Sequence, residues 1–201
     1  MTPSEMLLGR LIEERLTPGA NLTEVDAKIR AFFEEEWAVV FTDMAGFSRH
    51  AATNGIVPFL CLVHELKRIA RPVFESNGGF VLKVIADSFL VVFRRAPDAL
   101  KAVIELQRAL DTYRAGKPTE QHIEVGAGIG FGKVLKIGDQ DVVGVEVNYA
   151  AKLGEDQAGP WQVLLTDAAR AAVLHSPGVT FEPYEHPHGF PAWRARYGLE
   201  S

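Results

Sequence analysis

Gly78-Gly79-Phe80-Val81-Leu82-Lys83-Val84-Ile85-Ala86-Asp87-Ser88-Phe89-Leu90-Val91-Val92-Phe93 is the stretch that decides the fold. Two apolar, β-branched runs, 80–86 and 89–93, are broken only by Asp87-Ser88, which predicts a β-hairpin with Asp87 at its tip. Upstream, residues 56–74 carry Leu60, Val63, Leu66, Ala70 and Val73 at helical spacing. Pro58 suits the first turn of that helix, and Asn77-Gly78-Gly79 stops it. Further upstream, Trp37 to Thr42 is an apolar strand that runs into Asp43 and the turn-prone Ala45-Gly46.

Downstream, residues 96–115 predict a second helix, with Leu100, Val103, Ile104, Gln107 and Leu110 on one face, broken by Gly116-Lys117-Pro118. Strand character returns at 122–130. The order strand, helix, strand, strand, helix, strand is the split βαβ arrangement of ferredoxin-like α+β folds, an antiparallel sheet with helices on one face. In the fourth strand Ile123, Val125, Ala127 and Ile129 alternate with Glu124, Gly126, Gly128 and Gly130. One face therefore packs, and the other is nearly bare backbone that something must approach closely. Beyond it we expect a hairpin from 133–137 to 141–143, a helix at 146–153, a strand at 161–165 and a helix at 167–174. Two strands near 179–184 and 192–197 complete the C-terminal extension.

Ahead of this core lie two amphipathic helices, 4–16 and 23–36, the second opened by Thr23 as N-cap and ending in a solvated run, Glu34-Glu35-Glu36. The sequence leaves open whether they clasp a dimer or form a lid. We take residues 1–36 as an N-terminal helical extension of one domain, 37–201. The chain's 201 residues are too few for two typical domains and a linker.

Composition narrows the function. Hydrophobic residues at 47% and charged residues at 23% are those of a globular chain. A net charge of −5 without a basic cluster argues against nucleic acid and anionic lipid as partners. The single cysteine, Cys61, excludes an intrachain disulfide, and its apolar neighbours predict a buried thiol. No signal core or membrane-spanning run is present, so we expect no membrane insertion and a cytoplasmic protein. His50 and His64 read as helix-surface or cap residues, and His186 and His188 as a turn around Pro187. Trp161 and Trp193 read as anchors of the tail strands.

Asp43, at the end of an apolar strand and followed by Met44, Ala45, Gly46, Phe47 and Ser48, sets a carboxylate beside several backbone amides, a turn that can hold a metal and cradle phosphate. Asp87, on a neighbouring hairpin, can supply the other half of a two-magnesium site, because Mg²⁺ takes one or two carboxylates plus phosphate oxygens and water.

These segments resemble the motifs of class III adenylate and guanylate cyclases, as in a divergent bacterial-type member. Residues 41–48 are similar to the first metal motif, 78–87 to the second, and 141–153 to the third, in the family's order. The resemblance implies the class III cyclase fold. It also implies two Mg²⁺ or Mn²⁺ ions on Asp43, Asp87 and the Met44 carbonyl, with triphosphate contacts from Ala45, Gly46, Phe47 and Ser48. Lys83 and Asp141 match the base-reading positions, and a lysine–aspartate pair is the adenine-reading choice, which makes ATP the expected substrate. Asn148 would orient the ribose, and Lys152 stands where the family has a transition-state arginine. The family builds each site from two subunits, which fits Lys83 and Asp87 lying about 13 Å apart on one strand and implies a homodimer. The glycine face of the fourth strand is expected to help that approach.

Three positions depart from the family pattern. Lys152 replaces the arginine, His188 replaces the lysine before the late glycine, with Arg194 or Arg196 as substitutes, and Ala86 replaces a glycine. They point to lower turnover, and they motivate a second reading, a nucleotide- or ligand-binding regulatory module that has lost catalysis. A dinucleotide fingerprint at 126–132 fails on glycine spacing. A diguanylate cyclase lacks support because Phe80-Val81 follows Gly78-Gly79 in place of that family's residues.

Overall fold

The structure, a computed structural model, describes residues 2–46 and 55–199. Helix α1 (Pro3–Leu16) opens with a capping box in which Thr2 Oγ1 accepts from the Glu5 amide at 3.3 Å and the Thr2 amide donates to Glu5 at 2.6 Å. Helix α2 (Leu22–Phe33) is capped by Asn21, not Thr23, because Asn21 Oδ1 accepts from the Glu24 amide. The glutamate run is not helical. Glu34–Glu36 start strand β1 (Glu34–Met44), paired there with the far half of β4 (Val125–Ile137). Lys133 bonds Glu34, and Arg94 bonds Glu35, so the acidic run has cross-strand cations that local sequence could not reveal.

Helix α3 (Ile56–Ser76) follows, then β2 (Phe80–Ile85), β3 (Ser88–Phe93) and α4 (Ala96–Arg114). Strand β4 is one continuous strand of 13 residues where sequence suggested two segments. Then come β5 (Asp141–Val143), α5 (Val145–Ala151), a π-helical segment (Lys152–Gln157), β6 (Val163–Thr166), α6 (Asp167–Ala172), β7 (Thr180–Tyr184) and β8 (Ala192–Arg196). The sheet order is β2-β3-β1-β4-β6-β8-β7, with β5 paired to β4. Every pairing is antiparallel except β4 with β6. The expected α+β core, β2-β3-β1-β4 with its two helices, is present.

Those helices share one face of the sheet. Leu66, Ala70 and Phe74 of α3 and Leu100, Val103, Leu106 and Leu110 of α4 pack on Ala38, Val40, Phe89, Val91, Ala127 and Ile129. The buried stripe of α3 begins at Phe59 and Leu62; Leu60 and Cys61 are exposed, so the thiol is not the buried one that its apolar neighbours suggested. A run apolar on all sides does not tell which side faces in.

The other face carries a second cluster of Trp37, Val39, Leu90, Val92, Val134, Val142, Val147 and Ala150. The glycine face of β4 is filled by the chain's own α5 and π segment, not by a partner. A Cβ at Gly126 would meet the Ala158 carbonyl, one at Gly128 the Ala150 carbonyl and Gly154 amide, and one at Gly130 the Glu146 carbonyl, all closer than real contacts allow. Trp161 is buried in the core with its Tyr197 hydroxyl partner, while the half-buried Trp193 donates to Asp167. No described helix is long and apolar enough to cross a membrane.

Candidate active site

The pairing of β1 with β3 decides where the first carboxylate falls. Thr42 pairs with Phe89, so Asp43 comes level with Ser88, whose hydroxyl donates to Asp43 Oδ1 at 2.9 Å. Asp87 precedes Ser88 in the turn between β2 and β3. Ala86 makes that turn in the left-handed region, at φ 52°, which is the physical reason a glycine would suit the position. Asp87 is only 5% exposed, and its Oδ2 has no hydrogen-bond partner among the described residues.

The Ser88 bond ties Asp43 to the residue next to Asp87 and so brings the two side chains together. Burial is the main cause pushing the Asp43 carboxyl above the ordinary aspartate range, against the Ser88 and Met44 backbone hydrogen bonds. Burial also pushes Asp87 up, and the negative charge of Asp43 adds to it. The Met44 amide lies beside both carboxyls and favours the ionised form of each, and Lys67 acts weakly in the same direction on Asp87. Two crowded carboxylates, one with an orphaned buried oxygen, suit a divalent cation, which would supply both the missing charge and the missing partner. Among the described residues no three His, Cys, Asp or Glu side chains cluster as metal ligands, and magnesium bound with a triphosphate needs no more than two.

The amides expected to cradle phosphate fare differently. Ala45 N–H donates to the Glu124 carbonyl at 2.8 Å and is already occupied. Gly46 turns the chain at φ 81°. Phe47, Ser48 and His50 lie outside the described residues.

Lys83 and Asp141 meet in a second cluster. A β-bulge between Val81 and Lys83 inserts Leu82, after which Lys83 pairs with Leu90. Leu90 and Leu82 both belong to the second apolar cluster, so the bulge puts Leu82 and Lys83 on one face. The hairpin of β4 and β5 folds back over that face, with Val134 and Val142 against Leu90 and Val92. It delivers Asp141 to Lys83, Nζ to Oδ2 at 2.7 Å, each side chain 39% exposed. Asp43 follows Phe41 by two residues and shares its face. Two residues along the strands and two strands across separate Lys83 from Asp43, roughly 12 Å. Asn148, exposed on α5, lies one turn before Lys152 at the junction with the π segment.

In the turn between β7 and β8 the two histidines are tied to the chain's own groups. His186 Nε2 meets the Phe190 carbonyl at 2.7 Å, and its Nδ1 accepts from the His188 amide, so both ring nitrogens are used. His188 Nε2 lies 3.4 Å from Gln157 Nε2 and 3.9 Å from Asp156. Arg194 and Arg196, the suggested substitutes for the phosphate lysine, both pair with Glu182 on β7. Two residues beside Asp43 were not foreseen. Ser88 was visible as part of a polar hairpin tip, whereas Glu155, whose carboxyl burial and the Asp43 charge push up, is placed by a π turn that helical periodicity cannot anticipate.

No protein-family model matches the sequence, and no curated protein sequence matches it. Solved structures do. The adenylate/guanylate cyclase/hydrolase from Silicibacter pomeroyi is 24% identical and superposes with a TM-score of 0.67, over 81% of this chain and 96% of that one. The adenylyl cyclase CyaB from P. aeruginosa is 18% identical, with a TM-score of 0.68 over 81% of this chain and 94% of that one. The guanylate cyclase domain of RhGC from Catenaria anguillulae, solved with GTP, is 15% identical, with a TM-score of 0.67 over 82% and 98%. The chain has the fold of class III adenylate/guanylate cyclase catalytic domains.

Proposed function

We propose that the protein is an adenylate cyclase that converts ATP to 3′,5′-cyclic AMP and pyrophosphate at composite sites of a homodimer, in intracellular signalling. The observation that carries the reading is the convergence of Asp43 and Asp87 around an orphaned buried oxygen, on the sheet face that also bears the Lys83–Asp141 pair. Asp43 and Asp87, with the Met44 carbonyl, would hold two Mg²⁺ or Mn²⁺ ions. Bound there, such ions lower the pKa of the ribose 3′-hydroxyl and neutralise charge on the triphosphate.

The chain's own residues account for the rest. Lys83 can donate to an adenine ring nitrogen while Asp141 accepts from the exocyclic amine, the reverse of what guanine presents. Asn148 orients the ribose so that its 3′-oxygen lies in line with the α-phosphorus. The new bond joins that oxygen to phosphorus, the bond to the bridging oxygen breaks, and pyrophosphate leaves. The 3′-hydroxyl proton passes to solvent. Lys152 faces the charge that develops, but a point-charge ammonium offers no bidentate fork, so turnover is slow.

Exposed Phe80 and Ile85 lie on the strand that carries Lys83, Val143 on the strand that carries Asp141 and Val145 at the start of α5, and they give a second copy an apolar surface to cover. Incubation of the purified protein with ATP and Mn²⁺, followed by product chromatography, should yield cyclic AMP in excess over cyclic GMP from GTP. Asp43→Asn should abolish it, and product formation surviving that change removes the mechanism. A second reading, a binding module without turnover, draws on Lys152 and on His188 facing Gln157 and Asp156; it predicts metal-dependent ATP binding with no product.

A further inference from the structure

Near Asp43, on the π segment packed against the same sheet face, lies a third acidic side chain that the proposed mechanism does not use. Its position follows from backbone packing. Phe41 pairs with Gly128, and Asp43 pairs with Gly126. The π segment and the residues after it run down the same face. A Cβ at Gly154 would lie 2.5 Å from the Phe41 carbonyl, and Ala158 sits on Gly126. Gly154 is therefore seated at the level of Phe41 and Ala158 at the level of Asp43, and Glu155 begins the short stretch between them. Glu155 is exposed, its carboxyl has no hydrogen-bond or salt-bridge partner among the described residues, and its partial burial and the charge of Asp43 both push that carboxyl above the ordinary range.

Glu155 thus joins Asp43, and among the described residues Lys67 is the one cation acting on Asp87, whose Oδ2, on a side chain 95% buried, has no partner among them. The three do not converge as direct ligands of a single ion. A carboxylate just outside ligating reach accepts hydrogen bonds from water on the cation, which holds the ion and orients that water.

We propose that Glu155 is a third acidic determinant of cation binding, gripping through water the divalent ion that Asp43 and Asp87 ligate. The proposal rests on the reading of Asp43 and Asp87 as metal ligands. Its chemistry is electrostatic: the aspartates alone bring two negative charges to a site meant for two divalent ions, and Glu155 raises that to three before any triphosphate arrives. Asp156, adjacent and equally charged, lies 3.9 Å from His188 and serves as the control for bulk charge.

The test is Mn²⁺ titration of the full chain without nucleotide, followed by the electron paramagnetic resonance signal of free Mn²⁺. Glu155→Gln should weaken the affinity about tenfold, Asp156→Asn should leave it within about twofold of wild type, and Asp87→Asn should lose it. Thermal melts of the same samples confirm that each variant is folded. A Glu155→Gln affinity equal to wild type, or a loss matched by Asp156→Asn, overturns the role of Glu155 and leaves the aspartate pair standing. A wild-type protein that binds no Mn²⁺, or an Asp87→Asn variant that binds as well as wild type, overturns the aspartate pair itself.

Discussion

Ala86 holds a conformation its side chain resists. At φ 52° its Cβ crowds the following carbonyl, at a cost of about 1–2 kcal/mol, partly offset by the freedom a glycine would have in the unfolded chain. Ala86→Gly should therefore raise stability by about 0.5–1 kcal/mol, read from the urea midpoint at unchanged slope. A destabilised variant would mean that the methyl group packs. Asp43 and Asp87 were legible in the sequence because each ends an apolar run, and strand ends display what the run does not bury. Glu155 was not legible, since nothing in Lys152-Leu153-Gly154-Glu155 announces a π turn. The occupied Ala45 amide was hidden for a related reason, because its acceptor, the Glu124 carbonyl, lies 79 residues away.

At the scale of elements, the contact of α5 and the π segment with β4 is backbone against backbone. The carbonyls of Glu146, Ala150 and Ala158 rest where side chains would stand at Gly130, Gly128 and Gly126. That seating fixes the level of Asn148 and Lys152 relative to the sheet. Gly128→Ala should cost about 3 kcal/mol, near the upper end for overpacking, because the obstacles are backbone atoms of Ala150 and Gly154 and cannot turn aside. Chemical denaturation measures it, and a loss under about 1 kcal/mol would show that the helix can slide outward. The glycine alternation announced a close approach, but it could not name the visitor. Strand periodicity fixes which face is bare and says nothing of what covers it. The same limit explains the exposed Cys61, where an all-apolar helical run concealed its inward side until α4 supplied a neighbour.

For the whole molecule, the decisive arrangement is two candidate groups, Asp43 with Asp87 and Lys83 with Asp141, on one sheet face, with Asp43 and Lys83 roughly 12 Å apart. If each catalytic centre takes its aspartates from one copy and its Lys83–Asp141 pair from another, two crippled variants can rescue each other. Asp43→Asn and Lys83→Ala, each inactive alone, should recover about a quarter of wild-type specific activity when mixed in equal amounts, since half the dimers are then mixed and each keeps one intact centre. Cyclic AMP production after mixing is the readout, and no recovery would place both halves of a centre in one chain. The order of strands and helices was readable from periodicity alone, whereas the folding of the β4–β5 hairpin across the sheet is a matter of long-range curvature that no local pattern encodes. The extra residue at Leu82 sets two consecutive side chains on one side of β2, so that with it removed the ladder to β3 would close with Lys83 still opposite Leu90 and every side chain beyond would keep its side. The ammonium would stay on the side it shares with Asp141, so at this one position β2 should tolerate a shortening at little more than the cost of Leu82's own packing.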